Sequence, residues 1–410
     1  MSLDLDRPED PSNIIDPRCH CTRDALQALL ADEPCPCAVL DLDAFDHNLA
    51  LFEKGIAGTG KTVRIGTKSL RVPGLIKRCV DRPGFKGAFL FHPAEIAYLH
   101  DTFKIQDFVL AYPVMSMAEA DACARAVARD PETKVAVMVD AIPHLHLLEA
   151  AAAKARAQLR VLIDVDMAIT FLGQLAGVLR SPLRTPEQVV NLAKHVKDFP
   201  HLEFAGIMGY EAQEAGVGDG SFLFRRMKAA SRKQVTSRRT AVVQALAAEG
   251  FHCDIVNGGG SGCFPDTAKE ACVTEITVGS GLFKSYIFDP INHLKDFIPS
   301  MFMALRVVRE PRPGIVTCYS GGYACSGSYL PPRIVSPEGC SVTSREGFGE
   351  VQTPVQFDPA KLQLKLGDIV VCRFAKAGEP MERFNEVIAI SGGNVVNRFP
   401  TYRGAGLWLG

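Results

Sequence analysis

Residues 253–262 read CDIVNGGGSG, a short β-branched run that empties into Asn257-Gly258-Gly259-Gly260-Ser261-Gly262, a loop with almost no side chains. An apolar run of that length, hydrophobic on both faces, is how a buried parallel strand reads. The exposed N–H groups of the loop and the Ser261 hydroxyl suit a phosphate. The alternative is that these glycines only make tight turns. Working outward, the same texture recurs at EITVGSG (275–281), LEFAGIMGY (202–210), RVLIDVD (160–166), KVAVMVD (134–140), DFVLAYP (107–113), GFKGAFLFH (84–92) and VRIGTKS (63–69). Helical segments alternate with these runs, among them Ser116–Arg129, Pro143–Gln158 and the long basic stretch Phe222–Glu249. Eight such strands alternating with helices predict a (β/α)8 barrel.

From about residue 293 the texture changes. Pro311, Pro313, Gly314, Gly321, Gly322, Pro331 and Pro332 crowd the chain, and short strands such as GIVTCYS and GDIVVCRF replace helical runs. The expected organisation is an N-terminal segment (1–40) packing with a C-terminal β domain (293–410), and a barrel (41–292) between them, with the boundary in the stretch Pro290–Pro299.

Composition excludes several classes of function. The chain has 410 residues, 45 basic against 46 acidic, for a formal net charge of -1. No basic field large enough for nucleic acid exists. No apolar run approaches the roughly 20 residues of a membrane helix, and the acidic start MSLDLDRPED lacks the features of a signal peptide, so a cytoplasmic protein is expected. Thirteen cysteines are an odd number, mostly scattered singly through apolar segments, which reads as reduced thiols. Cys19-His20-Cys21 and Cys35-Pro36-Cys37 could supply four metal ligands, but their spacing is tighter than zinc pairs usually show, and free thiols are the competing account.

A barrel of this kind builds its site at the C-terminal strand ends, so the polar residues there carry the chemistry. The strand 63–69 ends in Arg64-Ile65-Gly66-Thr67-Lys68. A lysine desolvated at that point loses its proton and forms a Schiff base; otherwise it is a solvated surface charge. The last strand ends in Gly279-Ser280-Gly281, a second phosphate-suited loop beside the first. Tyr210, with Glu211 after it, closes the strand 202–210 over the mouth, either as a site residue or as a rim aromatic. Asp164 and Asp166 flank another strand end; one should face the site, and periodicity leaves open which.

Taken together, this pattern resembles the alanine racemase-type (fold type III) pyridoxal 5′-phosphate (PLP) enzymes, and within them the D-threonine aldolase and D-serine dehydratase group. The stretch Arg64–Ser69 is similar to that group's Arg-Pro-His-x-Lys-Thr-His; Asn257–Gly262 to its Ser-Gly-Gly-Gly-Thr; Glu275–Gly281 to its Glu-x-x-x-Gly-x-Tyr. The resemblance implies that Lys68 holds PLP, that Asn257, Gly258, Gly259, Gly260, Ser261, Gly279, Ser280 and Gly281 bind its phosphate, and that Tyr210 lies beside it. It implies a lyase acting on D-amino acids with a β-hydroxyl, by aldol cleavage or dehydration, in a homodimer with sites near the interface. A racemase on the same fold is the alternative, with Tyr319 or Tyr323 as its second base; a non-catalytic PLP carrier is the third reading. Two departures stand out. The group carries a His-x-Cys or His-x-Asp metal pair in its C-terminal domain, and the corresponding Cys372–Glu379 here has no histidine, so no metal ligand is assigned. Glu379, Glu382, Arg383 and Asn385 either substitute as polar groups or form a solvated edge strand. Asp164–Thr170 also lacks the arginine that commonly follows this strand, which leaves the residue facing the pyridine nitrogen open.

Overall fold

The protein is described from a computed structural model, which describes residues 18, 19, 21–326 and 330–409. Its chain forms two compact units. One comprises Met1–Asn48, Leu282–Ile287 and Phe297–Gly406; the other comprises Leu49–Gly281, Phe288–Asp296 and Leu407–Gly410.

Strand β1 (Cys37–Asp41) belongs to the first unit. In the second, β2 (Thr62–Gly66), β3 (Phe85–Leu90), β4 (Asp107–Leu110), β5 (Lys134–Val139) and β6 (Leu159–Asp164) follow in order, each paired in parallel with its predecessor. A two-stranded excursion, β7 (Ile169–Phe171) and β8 (Gln174–Ala176), interrupts the alternation. Then β9 (Leu202–Gly209), β10 (Ile255–Gly258) and β11 (Glu275–Val278) close the ring onto β2. The result is a closed eight-stranded parallel barrel, the fold expected from the sequence.

The helices around it form where their spacing predicts. Met117–Arg129 starts at Ser116, whose hydroxyl accepts from the Glu119 N–H at 3.2 Å, and buries Ala120, Cys123 and Ala124 at helical spacing. Pro186–Val196 starts with a capping box between Thr185 and Gln188.

The barrel interior has an apolar layer of Val109, Ala136, Met138, Leu162, Ala205, Met208 and Ile255. Its other layer is polar. Fully buried Arg64 donates from Nε and Nη2 to Glu275 at 2.8 and 2.9 Å, and from Nη1 to Asp107 Oδ1 at 2.7 Å. Two of the three sequence stretches that carry the resemblance therefore meet through Arg64 and Glu275. One cation between two carboxylates satisfies a charge that burial alone would make prohibitive.

One local feature decides which way Tyr210 points. The β6–β9 ladder runs Val161 to Phe204 and then Leu162 to Gly206, so a bulge absorbs Ala205. Ala205 and Met208 both face the interior, a change of parity that period-2 alternation forbids without the extra residue. Gly206, at φ +141°, permits it: a Cβ there would sit 1.9 Å from the Ile255 carbonyl oxygen. After the bulge the even-numbered residues face inward, and Tyr210 with them.

In the other unit, β12 (Met301–Arg312), β13 (Ile315–Tyr319), β14 (Arg333–Ser336), β15 (Ser341–Val342), β16 (Gln352–Gln356), β17 (Ile369–Arg373), β18 (Glu386–Ser391) and β19 (Asn394–Pro400) form a nine-stranded sheet with β1. β1 is an interior strand, antiparallel to β12 and parallel to β18. Val39 of β1 packs in one cluster with Phe302, Ala304, Ile369, Val371, Ile388 and Ile390, joined by Leu26 of the helix Arg23–Leu29 and Leu30 at its C-cap. The edge-strand reading of Glu379–Asn385 is corrected. Glu379–Arg383 is a 3-10 turn, because Pro380 has no N–H to give a ladder, and the chain resumes a strand only at Glu386.

Candidate active site

The C-terminal strand ends gather the site at one mouth of the barrel. After β2 the chain turns through a 3-10 segment, Thr67–Ser69, which carries Lys68 as an exposed side chain. Ser69 Oγ lies 3.1 Å from Ser280 Oγ, which joins this turn to the loop after β11. Ser261 Oγ accepts from the Gly279 and Gly281 N–H groups at 3.3 and 2.9 Å, joining the loops after β10 and β11. Gly260 is packed so closely that a Cβ would lie 2.6 Å from Ala215 Cβ and 3.5 Å from Tyr210 Cε2. Lys68, Ser280, Gly279, Gly281, Ser261, Gly260 and Tyr210 thus follow one another around the mouth. Asn257 does not join them. Its side-chain amide donates to Glu275 Oε1 and Thr277 Oγ1, both at 2.8 Å, in the polar layer inside the barrel.

The glycine loop is held from behind by Glu211. Its Oε1 accepts from the Gly259 N–H at 3.1 Å and the Thr267 hydroxyl at 2.8 Å, and its Oε2 from Arg239 Nη2 at 3.0 Å. Arg239, fully buried, also donates to the Gly209 carbonyl at 2.9 Å and to Glu270 Oε1 at 2.5 Å. One cation therefore ties the strand end that presents Tyr210 to the loop suited to phosphate. Glu211 is not a carboxylate over the mouth, as its place beside Tyr210 in the sequence suggested; it is buried support.

Of the two aspartates left open, Asp164 is the one that faces the site. It shares the inward parity of Leu162, whereas Asp166 pairs with Arg184 and accepts from the Ala168 N–H at 2.9 Å, anchoring the β7–β8 excursion. Burial pushes the Asp164 carboxyl up to about 6, with Arg180 opposing the shift and Asp140 adding to it. Burial likewise pushes the Tyr210 hydroxyl well above the ordinary tyrosine range.

Arg180 is the residue the sequence did not disclose. It lies beyond the excursion, with Nε 3.5 Å from Asp164 Oδ2, Nη2 donating to the Ala111 carbonyl at 3.1 Å, and its guanidinium 4.8 and 5.9 Å from the ring centres of Tyr112 and Tyr210. An arginine absent directly after the strand is thus returned to the mouth by a hairpin. Only the stretch between β6 and the next helix, too long for a plain loop, hinted at it.

The two C-terminal candidates, Tyr319 and Tyr323, lie in the sheet unit. Tyr319 is half exposed, and Tyr323 packs edge-on to Phe384 at 5.4 Å.

Residues 40–286 match the family described as alanine racemase, N-terminal domain. The chain belongs to that family. Among relatives of this alanine racemase-type chain, a D-threonine aldolase of Arthrobacter sp. is 26% identical over 77% of this chain and 79% of its own. A 3-hydroxy-D-aspartate aldolase of Paracoccus denitrificans (strain Pd 1222) is 28% identical over 70% of this chain and 71% of its own. The crystal structure of D-threonine aldolase from Filomicrobium marinum superposes with a TM-score of 0.80 at 21% identity, covering 92% of this chain and 97% of that one, which establishes the shared fold.

The site fits the cofactor of this PLP-dependent family on its own chemistry. A lysine stands at the mouth, a cradle too tight for a Cβ at Gly260 lies beside it, and the Gly279 and Gly281 N–H groups converge on one hydroxyl. The stretch Cys372–Glu379 does not fit a metal pair in the same way. Lys376 Nζ donates to Ser326 Oγ at 2.9 Å, and Ser326 donates from N and Oγ to Glu379, both at 2.9 Å, so the Lys376 ammonium and the Glu379 carboxylate are bridged by a hydroxyl, while Cys372 is fully buried and Arg373 Nη2 donates to the Lys284 carbonyl. Among the described residues no three His, Cys, Asp or Glu side chains converge to hold a metal; His20 lies outside them. Nor is any helix among them long and apolar enough to cross a membrane.

Proposed function

We propose that the protein is a PLP-dependent lyase acting on D-amino acids that carry a β-hydroxyl, by aldol cleavage or dehydration. The observation that carries the reading is the continuous arc from Lys68 through Ser280 and Ser261 to Tyr210, supported by the aldolase names of the relatives. When bound, PLP withdraws electrons from the substrate α-carbon, so that the bond held in line with the ring's electron system is the one that breaks.

The chain's own residues do the rest. Lys68 holds the cofactor and, once displaced by substrate, is the amine at hand to take or return a proton at the α-carbon. The Ser261 hydroxyl, whose oxygen accepts from the Gly279 and Gly281 N–H groups, and the Gly260 backbone would take the phosphate. Tyr210, its proton held by burial, would serve the bound cofactor as a neutral donor. Arg180 supplies a fixed positive charge whose counter-charge, Asp164, keeps it in place. No step is assigned to a metal, because Lys376 and Glu379 do not form an ion's ligand pair.

We read the protein as cytoplasmic and homodimeric. No cysteine is joined in a disulfide, in keeping with a reducing compartment. Leu172, Leu175 and Leu179 expose apolar surface on the excursion after β6, as a subunit contact would require. Sedimentation of the purified protein measures the oligomeric state.

The test is spectroscopic first. Wild type mixed with PLP develops a visible absorption band, and Lys68→Ala does not while keeping its circular dichroism. No band in wild type would sink the reading. With D-threonine and D-serine, glycine plus an aldehyde, or a keto acid, marks a lyase, and the L-enantiomer marks a racemase. Repeating the assay with a chelator reads out metal dependence directly.

A further inference from the structure

We propose that Cys35 and Cys37 form a reversible dithiol–disulfide couple, oxidised by a peroxide, at the start of the interior strand β1. The pair is independent of the barrel mouth and of the lyase reading. The two Sγ atoms lie 4.0 Å apart, and both residues are only partly buried, so a small oxidant can reach them. A disulfide needs an S–S length of about 2 Å, so the sulfurs must close by roughly 2 Å, within reach of side-chain rotation. The guanidinium of Arg306 stands beside them, Nη2 being 3.9 Å from Cys35 Sγ. That guanidinium is immobilised by the Leu30 carbonyl and by the Gly367 and Glu33 carbonyls at 3.1 and 3.3 Å, so it is a fixed positive charge.

The two thiols are unequal. The hydrogen bond with Cys37 brings Cys35 down to about 7, against burial and with help from Arg306. The same bond, with burial, pushes Cys37 up. Cys35 is therefore the thiol that more readily becomes a thiolate, and the one that attacks an oxidant. The buried thiols behave oppositely: burial, with Glu119 adding to it, raises Cys123 to about 12, and burial, with Cys340 and Cys35 adding to it, raises Cys318 to about 12.

The chemistry balances with hydrogen peroxide as the oxidant. Cys35 thiolate attacks one peroxide oxygen; an S–O bond forms, the O–O bond breaks, and the departing hydroxide is protonated to water. Cys37 sulfur then attacks the Cys35 sulfur; the S–S bond forms, the S–O bond breaks, and the leaving hydroxide takes the Cys37 proton as a second water. The two sulfurs give two electrons to the peroxide, and a dithiol reductant returns them by exchange.

The intact protein tests this by peroxide treatment, trapping of remaining thiols with N-ethylmaleimide, and tryptic mass spectrometry. The peptide Asp24–Lys54 contains Cys35 and Cys37 and no other cysteine. It should lose two hydrogens, about 2 Da, and regain them with dithiothreitol, at a rate about tenfold above that of buried Cys123. In Cys37→Ser, Cys35 should stop at a sulfenic acid that dimedone captures; in Cys35→Ser, Cys37 should stay reduced. Persistent thiols in the wild-type peptide, a disulfide from Cys35 to a different cysteine, or equally fast oxidation of Cys37 in Cys35→Ser would each overturn the proposal.

Discussion

Replacing Arg239 with methionine tests the support behind the site. The guanidinium is fully buried between Glu211 and Glu270, whose side chains are 2% and 8% exposed, and it donates to the Gly209 carbonyl as well. Methionine keeps most of the volume and removes the charge, leaving two carboxylates in the interior without their cation. Breaking a buried ion pair by removing one partner costs about 3–5 kcal/mol. At roughly 2–4 °C per kcal/mol for a domain near this size, the melting temperature should fall by about 6–20 °C. The pH dependence has a definite sign. Glu270 is already raised by burial, with Arg239 opposing the shift, and it rises further when Arg239 is lost. A carboxylate whose folded pKa lies above its unfolded value destabilises the fold once ionised, and that penalty is relieved as pH falls through the folded pKa. The gap between Arg239→Met and wild type should therefore narrow from pH 8 to pH 5.5. Thermal melts by circular dichroism at the two pH values, without added PLP, make the measurement. A variant melting within about 2 °C of wild type at pH 8, or a gap that does not shrink on acidification, refutes the assignment of Arg239 as the cation that holds both loops.

Two further outcomes can be measured at the mouth. Ser261→Ala removes the hydroxyl on which the Gly279 and Gly281 N–H groups converge; PLP affinity should drop about tenfold, from a net loss of about 1–1.5 kcal/mol, with circular dichroism unchanged, as read by titrating the visible band. Because burial raises Asp164 to about 6 from the ordinary aspartate value, its carboxylate weakens the fold as pH rises from about 4 to 6, by about 3 kcal/mol in full. Asp164→Asn should flatten that part of the stability–pH curve measured by urea unfolding, and Arg180→Met should move the titration to higher pH; an unchanged curve in Asp164→Asn would contradict the burial argument.

The barrel was legible in the chain because a buried parallel strand is written locally, as a short run apolar on both faces, and eight such runs alternate with helical spacing. The phosphate-suited loops were legible for the same reason: Asn257–Gly262 and Gly279–Gly281 show their chemistry in what they lack. Lys68 was visible only through its place among those elements. Tertiary structure decided everything that depends on parity or on distance across the fold. Tyr210 faces inward because a bulge at Gly206 reverses the alternation, and a bulge is a property of two paired strands. Arg180 reaches Asp164 because a hairpin folds back over the mouth, and Glu211 turns away from it because Arg239, from a helix elsewhere in the sequence, supplies its charge partner. A sequence records which side chain follows which, and hydrophobic period makes that order readable as strands and helices. Which charges share a buried space is settled only when the ring closes.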